Sequence, residues 1–356
     1  MDLHDSFDAP AAAVVLAEGA FGTPQGKTAN GVVMHGELFD VTAVVDSTAD
    51  GDDAATVLGR DDPDLASVPV VDSVSAALGR GGDGPDGDGP DPEALVIGVA
   101  PAGGQLPEAW VDDIELAMRA GCDVVSGLHT FLSEDEQWTA TAEECGVRLF
   151  DVRKPPSGDN LRVADGRVDD LDTPVVLTAG TDCAVGKRTT TFELYRAARR
   201  AGIDAGWVAT GQTGVMVGAD RGVVVDRVPA DFTAGVVESL VCEVAAESEV
   251  VFVEGQGALS HRAYGSVSLG LLQGAWPDSV VLVDDPTRES RDDFEQFAVP
   301  DIASEAERVT SLSEAAIAGV STWGDPDGLD YPFPAANVYD EGGPERLLEL
   351  VRETLE

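Results

Sequence analysis

The stretch Gly180-Thr181-Asp182-Cys183-Ala184-Val185-Gly186-Lys187 combines the residue types needed to hold a phosphate-like anion. Glycines leave backbone N–H groups unobstructed, a lysine supplies neutralising charge, and a following helix adds the partial positive charge of its N-terminus. The spacing departs from Gly-x4-Gly-Lys-Ser/Thr in two ways. Five residues separate Gly180 from Gly186, and Arg188 stands where the metal-ligating hydroxyl belongs, displacing the hydroxyls to Thr189 and Thr190. The expected ligand is an anion, and the displaced hydroxyl weakens the case for magnesium–ATP chemistry.

Three more segments place polar residues at the ends of apolar runs. Gly206–Thr210 leads into Gly211-Gln212-Thr213-Gly214, suited to close backbone contact with a ligand. Val250–Val253 leads into Glu254-Gly255-Gln256-Gly257, an apolar strand ending in an acid as a Walker B strand does, with Ser260-His261 just beyond. Ser279–Val283 ends in Asp284-Asp285. Open α/β sheets bind ligands outside the carboxyl ends of their strands, so residues at four such ends can converge.

Positioning them requires a parallel sheet. Pro174–Ala179 reads as a buried strand and Thr189–Ala201 as a helix offering Phe192, Leu194, Tyr195 and Ala198 for packing. The first half alternates β-branched runs with amphipathic segments in the same manner, with strands expected at Ala12–Ala17, Val41–Val45, Leu95–Ala100, Cys122–Gly127 and Val147–Val152. The fold class is therefore α/β with two domains, residues 1–150 and 174–356, joined by a polar crossing at 151–173. A Gly/Asp/Pro-rich stretch, residues 79–92, reads as a flexible surface insertion.

Other candidates lie in the first half. Gly22–Thr28 is one residue short of a phosphate loop, and Asp46 ends the second strand where a ribose-binding acid can stand, yet the Gly-x-Gly-x-x-Gly fingerprint is missing. The Gly103-Gly104 turn and His129 follow strands and could touch substrate or serve the turns alone. The chain has three lysines, Lys27, Lys154 and Lys187, each in a Gly- or Pro-rich context, which suits cations retained to hold anions.

The background to those lysines is extreme: 66 acidic against 22 basic side chains, a net charge of −44, in a chain of ordinary apolar content. Disorder is excluded by that content, and nucleic-acid binding through a basic patch by the charge. Self-repulsion of this size is tolerable in a salt-loaded cytoplasm, where screening lengths shrink to about 3 Å at 1 M. Cys122, Cys145, Cys183 and Cys242 show no paired spacing, so neither a metal site nor a disulfide framework is expected, and the first, second and fourth read as small core residues. No apolar run approaches the roughly 18 residues of a membrane span and the start lacks a secretory pattern, so a cytoplasmic protein without membrane partners is expected, assembled as a homo-oligomer around a small-molecule substrate.

Taken together, Gly180–Lys187, Ala209–Gly214 and Val253–His261, with Gly26–Ala29, Ala100–Gly104, Val125–His129 and Asp151–Pro156, resemble the D-glutamate N-acetyltransferase family, long carried as a domain of unknown function. The resemblance implies a Rossmann-like domain, then a domain like the P-loop NTPases, and acetyl transfer from acetyl-CoA to the amine of an acidic amino acid. Direct transfer needs anchors for phosphates and carboxylates, a polarised thioester and a base. The Lys187 loop would hold CoA, amides of Gly211–Gly214 or Gly255–Gly257 would face the thioester oxygen, and His261 or Glu254 would take the ammonium proton. Arg153, Lys154, Arg188 and His129 are candidates for the substrate. The rival is an ATP-dependent ligase or kinase, with Lys187 on phosphates and Thr189 or Asp182 on Mg²⁺. A nucleotide-binding regulator without chemistry is a third reading.

Overall fold

The computed structural model describes residues 3–79, 90–101, 104–291 and 294–356, and divides into two compact units. Met1–Lys154 with Val215–Gly218 form the first, Pro155–Gly214 and Ala219–Glu356 the second. Of the stretch 151–173, all beyond Lys154 belongs to the second unit, where Leu161, Val168 and Leu171 pack against its core. Most of the insertion at 79–92, residues 80–89, lies outside the described residues, as does Gly103 of the Gly-Gly turn.

In the first unit β1 (Ala11–Leu16), β2 (Phe39–Val45), β3 (Val70–Val71), β4 (Ala94–Ile97), β5 (Asp123–Ser126) and β6 (Leu149–Asp151) form a parallel sheet in the order β3-β2-β1-β4-β5-β6. This is the Rossmann order, reversing direction between β1 and β4. Helices α1 (Lys27–His35), α2 (Ala54–Leu58), α3 (Pro63–Ala66), α4 (Val74–Leu78), α5 (Val111–Arg119) and α6 (Glu136–Cys145) connect the strands. Trp110, Ile114, Ala117 and Met118, at helical spacing, are all buried along α5 and the turn before it. Strand β3 is too short for its sequence to announce itself. Part of the acid excess is used locally: Asp53, Asp62 and Asp135 cap α2, α3 and α6 by accepting backbone N–H groups, where negative charge also suits the helix dipole.

The second unit holds β7 (Val175–Gly180), β8 (Ala205–Ala209), β9 (Arg221–Gly222), β10 (Val250–Val253), β11 (Ser279–Asp284), β14 (Ala316–Thr322) and β15 (Ala335–Ala336), all parallel, with a separate hairpin of β12 (Ser290–Arg291) and β13 (Phe294–Ala298). Their order is β15-β14-β11-β7-β10-β8-β9, so the chain leaves β7 toward one edge and later returns to build the other. The ends of β7, β10 and β11 are thereby neighbours. Helices α7 (Lys187–Arg200), α8 (Gln212–Val217), α9 (Ala230–Ala245), α10 (Gly265–Ala275), α11 (Ile302–Leu312) and α12 (Gly343–Leu355) complete the chain. Val208, Val251, Val253, Val280, Leu282 and Val320 supply β-branched and leucine side chains to a continuous core, which is why these strands read as unbroken apolar runs. Among the described residues no helix is long and apolar enough to cross a membrane.

Candidate active site

The loop between β7 and α7 turns through two left-handed residues, Ala184 at φ 54° and Gly186 at φ 102°. Gly186 is favoured on two counts, because its φ is strained for any other residue and a Cβ there would also lie 2.6 Å from Trp323 Nε1. Gly255 serves close approach of another kind: a Cβ would come within 1.8 Å of the Thr178 carbonyl on the adjacent strand. The Lys187 side chain is buried and folds back so that Nζ donates to the Asp182 carbonyl. Burial lowers its pKa to about 8, opposed by the nearby Cys183, Asp182 and Glu254.

Asp182, fully buried, gathers three basic side chains. Arg291 Nη1 donates to Oδ1 at 3.0 Å, Arg288 Nη1 reaches Oδ2 at 3.3 Å, and His261 Nε2 lies 3.8 Å from Oδ1. Arg291 also donates to the Thr181 carbonyl and to Ser260 Oγ, tying the loop to the segment after β10. The lysine count drew attention to one cation; Arg288 and Arg291 give the loop two more. Their signal was present in the sequence, since they come three and six residues after Asp285 at a strand end.

His261 is held in one tautomer. Its Nδ1 accepts the N–H groups of Ala263 at 3.1 Å and Tyr264 at 3.3 Å, so the neutral ring carries its proton on Nε2. Nε2 is buried and makes no hydrogen bond. Burial pushes the ring's pKa below the usual imidazole value, Arg291 and Lys187 add to the effect, and Asp182 opposes it. A ring whose one lone pair already faces two amides is a poor base and a good N–H donor.

Glu254 has the opposite character. Its carboxylate accepts from Gln256 Nε2 at 3.0 Å, from the Thr210 N–H at 3.3 Å and from the Gly211 N–H, while Thr210 Oγ1 donates to its carbonyl at 2.6 Å. Burial raises the carboxyl pKa to about 7, against the pull of Arg188 and these donors. Arg188 Nη1 is itself buried and makes no hydrogen bond. Burial lowers the Arg188 pKa, and Glu254 is the foremost charge opposing that. A guanidinium charge thus acts on the acid from the position where the loop spacing of nucleotide-binding proteins would place a hydroxyl.

Several expected roles are reassigned by this geometry. The Gly211 N–H is engaged by Glu254 and the Gly255 N–H by Thr178 Oγ1 at 3.3 Å, so neither amide is turned toward a thioester. Gln212, Thr213 and Gly214 begin α8, and a Cβ at Gly214 would lie 2.5 Å from Glu254 Oε2. Gly257, at φ 58°, makes the turn toward α10. Thr190 pairs with Ser321 at 2.8 Å, leaving half-buried Thr189 as the hydroxyl in the first turn of α7. Thr181 donates to Asp284, which also accepts from Tyr331. Val185 is buried beneath the loop.

His129, Arg153 and Lys154 belong to the first unit. His129 is exposed and crosses Gly104 so closely that a Cβ there would sit 2.4 Å from its ring. Arg153 is buried, and Lys154 pairs with Glu134 at 3.2 Å. Asp46 turns inward, accepting the backbone N–H groups of Ala20 and Phe21, just ahead of the near-miss loop, at 3.2 and 2.9 Å, and Asn30 takes the N–H of Gly22, which opens that loop. Burial opposes ionisation of Asp46, but donors from Thr48, Phe21 and Gly19 outweigh it and lower its pKa. Of the cysteines read as core, Cys122 is buried and its pKa is pushed to about 11, whereas Cys145 and Cys242 are half-buried.

Asp182, Cys183 and His261 bring ligating atoms within 4.8 Å of one another, a spacing that a metal ion could bridge. Both Asp182 oxygens already face guanidinium groups and Lys187 lies alongside, so the charge of the surroundings favours an anion over a cation.

Residues 162–324 match the family model described as "Domain of unknown function (DUF1611_C) P-loop domain", and residues 47–155 match "Domain of unknown function (DUF1611_N) Rossmann-like domain". The chain belongs to the DUF1611 family. A crystal structure of a DUF1611 family protein from Anabaena variabilis is 29% identical, covers 96% of this chain and 99% of that one, and superposes with a TM-score of 0.82. Two curated relatives are named D-glutamate N-acetyltransferase. One, from a Pseudoalteromonas species, is 38% identical over 53% of this chain; the other, from Tritonibacter scottomollicae, is 36% identical over 59%. The matched regions span 55% and 61% of the length of those relatives. The DUF1611 assignment accounts for both halves of the architecture, Rossmann-like first and P-loop-like second.

Proposed function

We propose that this DUF1611 protein is an N-acetyltransferase that moves acetyl from acetyl-CoA to the amine of an acidic amino acid, D-glutamate being the acceptor suggested by the names of its relatives. The observation that carries the reading is a buried carboxyl, Glu254, whose charge interacts with the Arg188 guanidinium at the end of the phosphate loop. A carboxyl poised near pH 7 is suited to accept a proton from an ammonium group, and a half-buried guanidinium whose buried Nη1 has an unused N–H is suited to a carboxylate. Lys187 and the amides at the α7 N-terminus would hold a CoA phosphate, and the thioester brings its own activation. Cytoplasmic location and homo-oligomeric assembly complete the reading.

The P-loop itself favours a second reading, an ATP-dependent ligase or kinase. It would have to draw its Mg²⁺ ligands from a loop in which Thr190 is committed to Ser321 and Asp182 to Arg288 and Arg291. Thiol release separates the two. In molar salt, free CoA should appear from acetyl-CoA and D-glutamate without ATP; a requirement for ATP, or phosphate in place of thiol, would transfer the assignment to the ligase or kinase.

A further inference from the structure

Cys183 has no role in the mechanism so far, yet it lies in the phosphate loop beside His261 and Asp182. It sits in the loop that leads into α7, half-exposed, four residues before Lys187. Its Sγ, a ring nitrogen of His261 and an Asp182 carboxylate oxygen lie within 4.8 Å of one another. The Lys187 charge interacts with Cys183 and the loop leads into the N-terminus of α7, so both can stabilise negative charge that develops on the sulfur during reaction, against the Asp182 carboxylate in the same cluster.

The second observation comes from His261. The ring is 1% exposed, its Nδ1 is spent on two amides, and its Nε2–H points into this cluster without an acceptor. A buried donor left unmatched is costly, and a group that carries negative charge during the reaction would satisfy it. Asp182, at 3.8 Å from Nε2, is too distant for that bond and is held by Arg291 instead. The fixed tautomer means that His261 does not deprotonate the thiol; it stabilises charge on sulfur or on the acyl oxygen.

We propose that Cys183 is the acyl-accepting nucleophile and that transfer runs through an S-acetyl-Cys183 intermediate. In the first half-reaction the Cys183 thiolate, its proton already lost to solvent, attacks the acetyl carbonyl of acetyl-CoA. A carbon–sulfur bond forms to Cys183, the bond to CoA sulfur breaks, and CoA leaves as a thiolate that takes a proton from water. In the second the neutral amine attacks the enzyme thioester, the carbon–nitrogen bond forms, Cys183 leaves as thiolate, and the amine proton passes to Glu254. The inference rests on the acetyl-CoA reading above.

The unaltered chain with acetyl-CoA alone tests it. The intact mass should rise by one acetyl group, located on the peptide containing Cys183 and removed on adding D-glutamate. Labelled CoA should exchange into acetyl-CoA without acceptor, and initial-rate plots should give the parallel lines of a ping-pong mechanism. Cys183→Ala and Cys183→Ser should abolish the adduct and lower turnover by at least about 100-fold. Because the adduct and the exchange are measured on the unaltered protein, a variant that misfolds does not remove the test.

Thiol release with D-glutamate but no acetyl-enzyme and no exchange would overturn the covalent route and leave the transferase reading intact. An adduct on Cys183 that D-glutamate does not discharge would keep the nucleophile and overturn that acceptor. Neither adduct nor thiol release would overturn both.

Discussion

Nε2 of His261 and Oδ1 of Asp182 lie 3.8 Å apart, a charged-pair distance but not a hydrogen bond, because Arg291 holds that oxygen at 3.0 Å. The histidine is therefore anchored through Nδ1 and presents a single N–H. His261→Ala should lower kcat by roughly 10²-fold, in the range seen on removing one charge-stabilising donor, while the pH at which kcat/KM rises stays unchanged. A loss of the pH-dependent rise in this variant would restore His261 as the base.

Glu254 should set that rise. With a folded-state pKa of about 7, kcat/KM should climb through neutral pH as the carboxyl ionises, then fall above about pH 8 as Lys187 loses its charge. Glu254→Gln should remove the climb and lower turnover by about 10²–10⁴-fold. A rate profile that is flat from pH 6 to 8 in the unaltered protein would assign the proton transfer elsewhere.

Stability should carry the same signature. The Glu254 pKa is raised from 4.5, so the native state binds this proton more tightly than the unfolded chain. Its contribution is fully present below about pH 4.5 and is lost as pH rises through about 7. Glu254→Gln, a mimic of the neutral form, should therefore be the more stable protein at pH 8, by an amount of order 1–3 kcal/mol. Denaturant midpoints at pH 5 and pH 8 measure it, and equal midpoints at both would count against a shifted carboxyl.

Lys187→Ala should weaken acetyl-CoA binding by roughly 2–5 kcal/mol, the cost of truncating one partner of a desolvated charge pair. Calorimetric titration reads this directly, with retained secondary structure as the control. Unchanged affinity in a folded variant would make the loop a purely structural turn.

A chain with a net charge of −44 should gain stability as salt screens its surface. The melting temperature should climb between 0.1 and 3 M KCl, and a flat response over that range would remove the halophilic expectation.

The sequence by itself carried the two sheets and the loop. Strands such as Val250–Val253 are buried on both faces, so their apolar runs are unbroken, and glycine spacing between strand and helix marks a phosphate cradle wherever it occurs. Two of its proposals turned on contacts that no local pattern encodes. Asp46 is placed like a ribose-binding acid, yet its carboxylate is taken up by the Ala20 and Phe21 amides from the turn after β1; Gly211 and Gly255 look like donors for a ligand, yet Glu254 and Thr178 take them. Arg288 and Arg291 join the site because the hairpin after β11 brings them back to Asp182, and the tautomer of His261 depends on two backbone amides folded against it. Which residues could do chemistry follows from their type and spacing. Whether each donor or acceptor is still unspent depends on partners brought from distant parts of the chain, and only tertiary structure decides that.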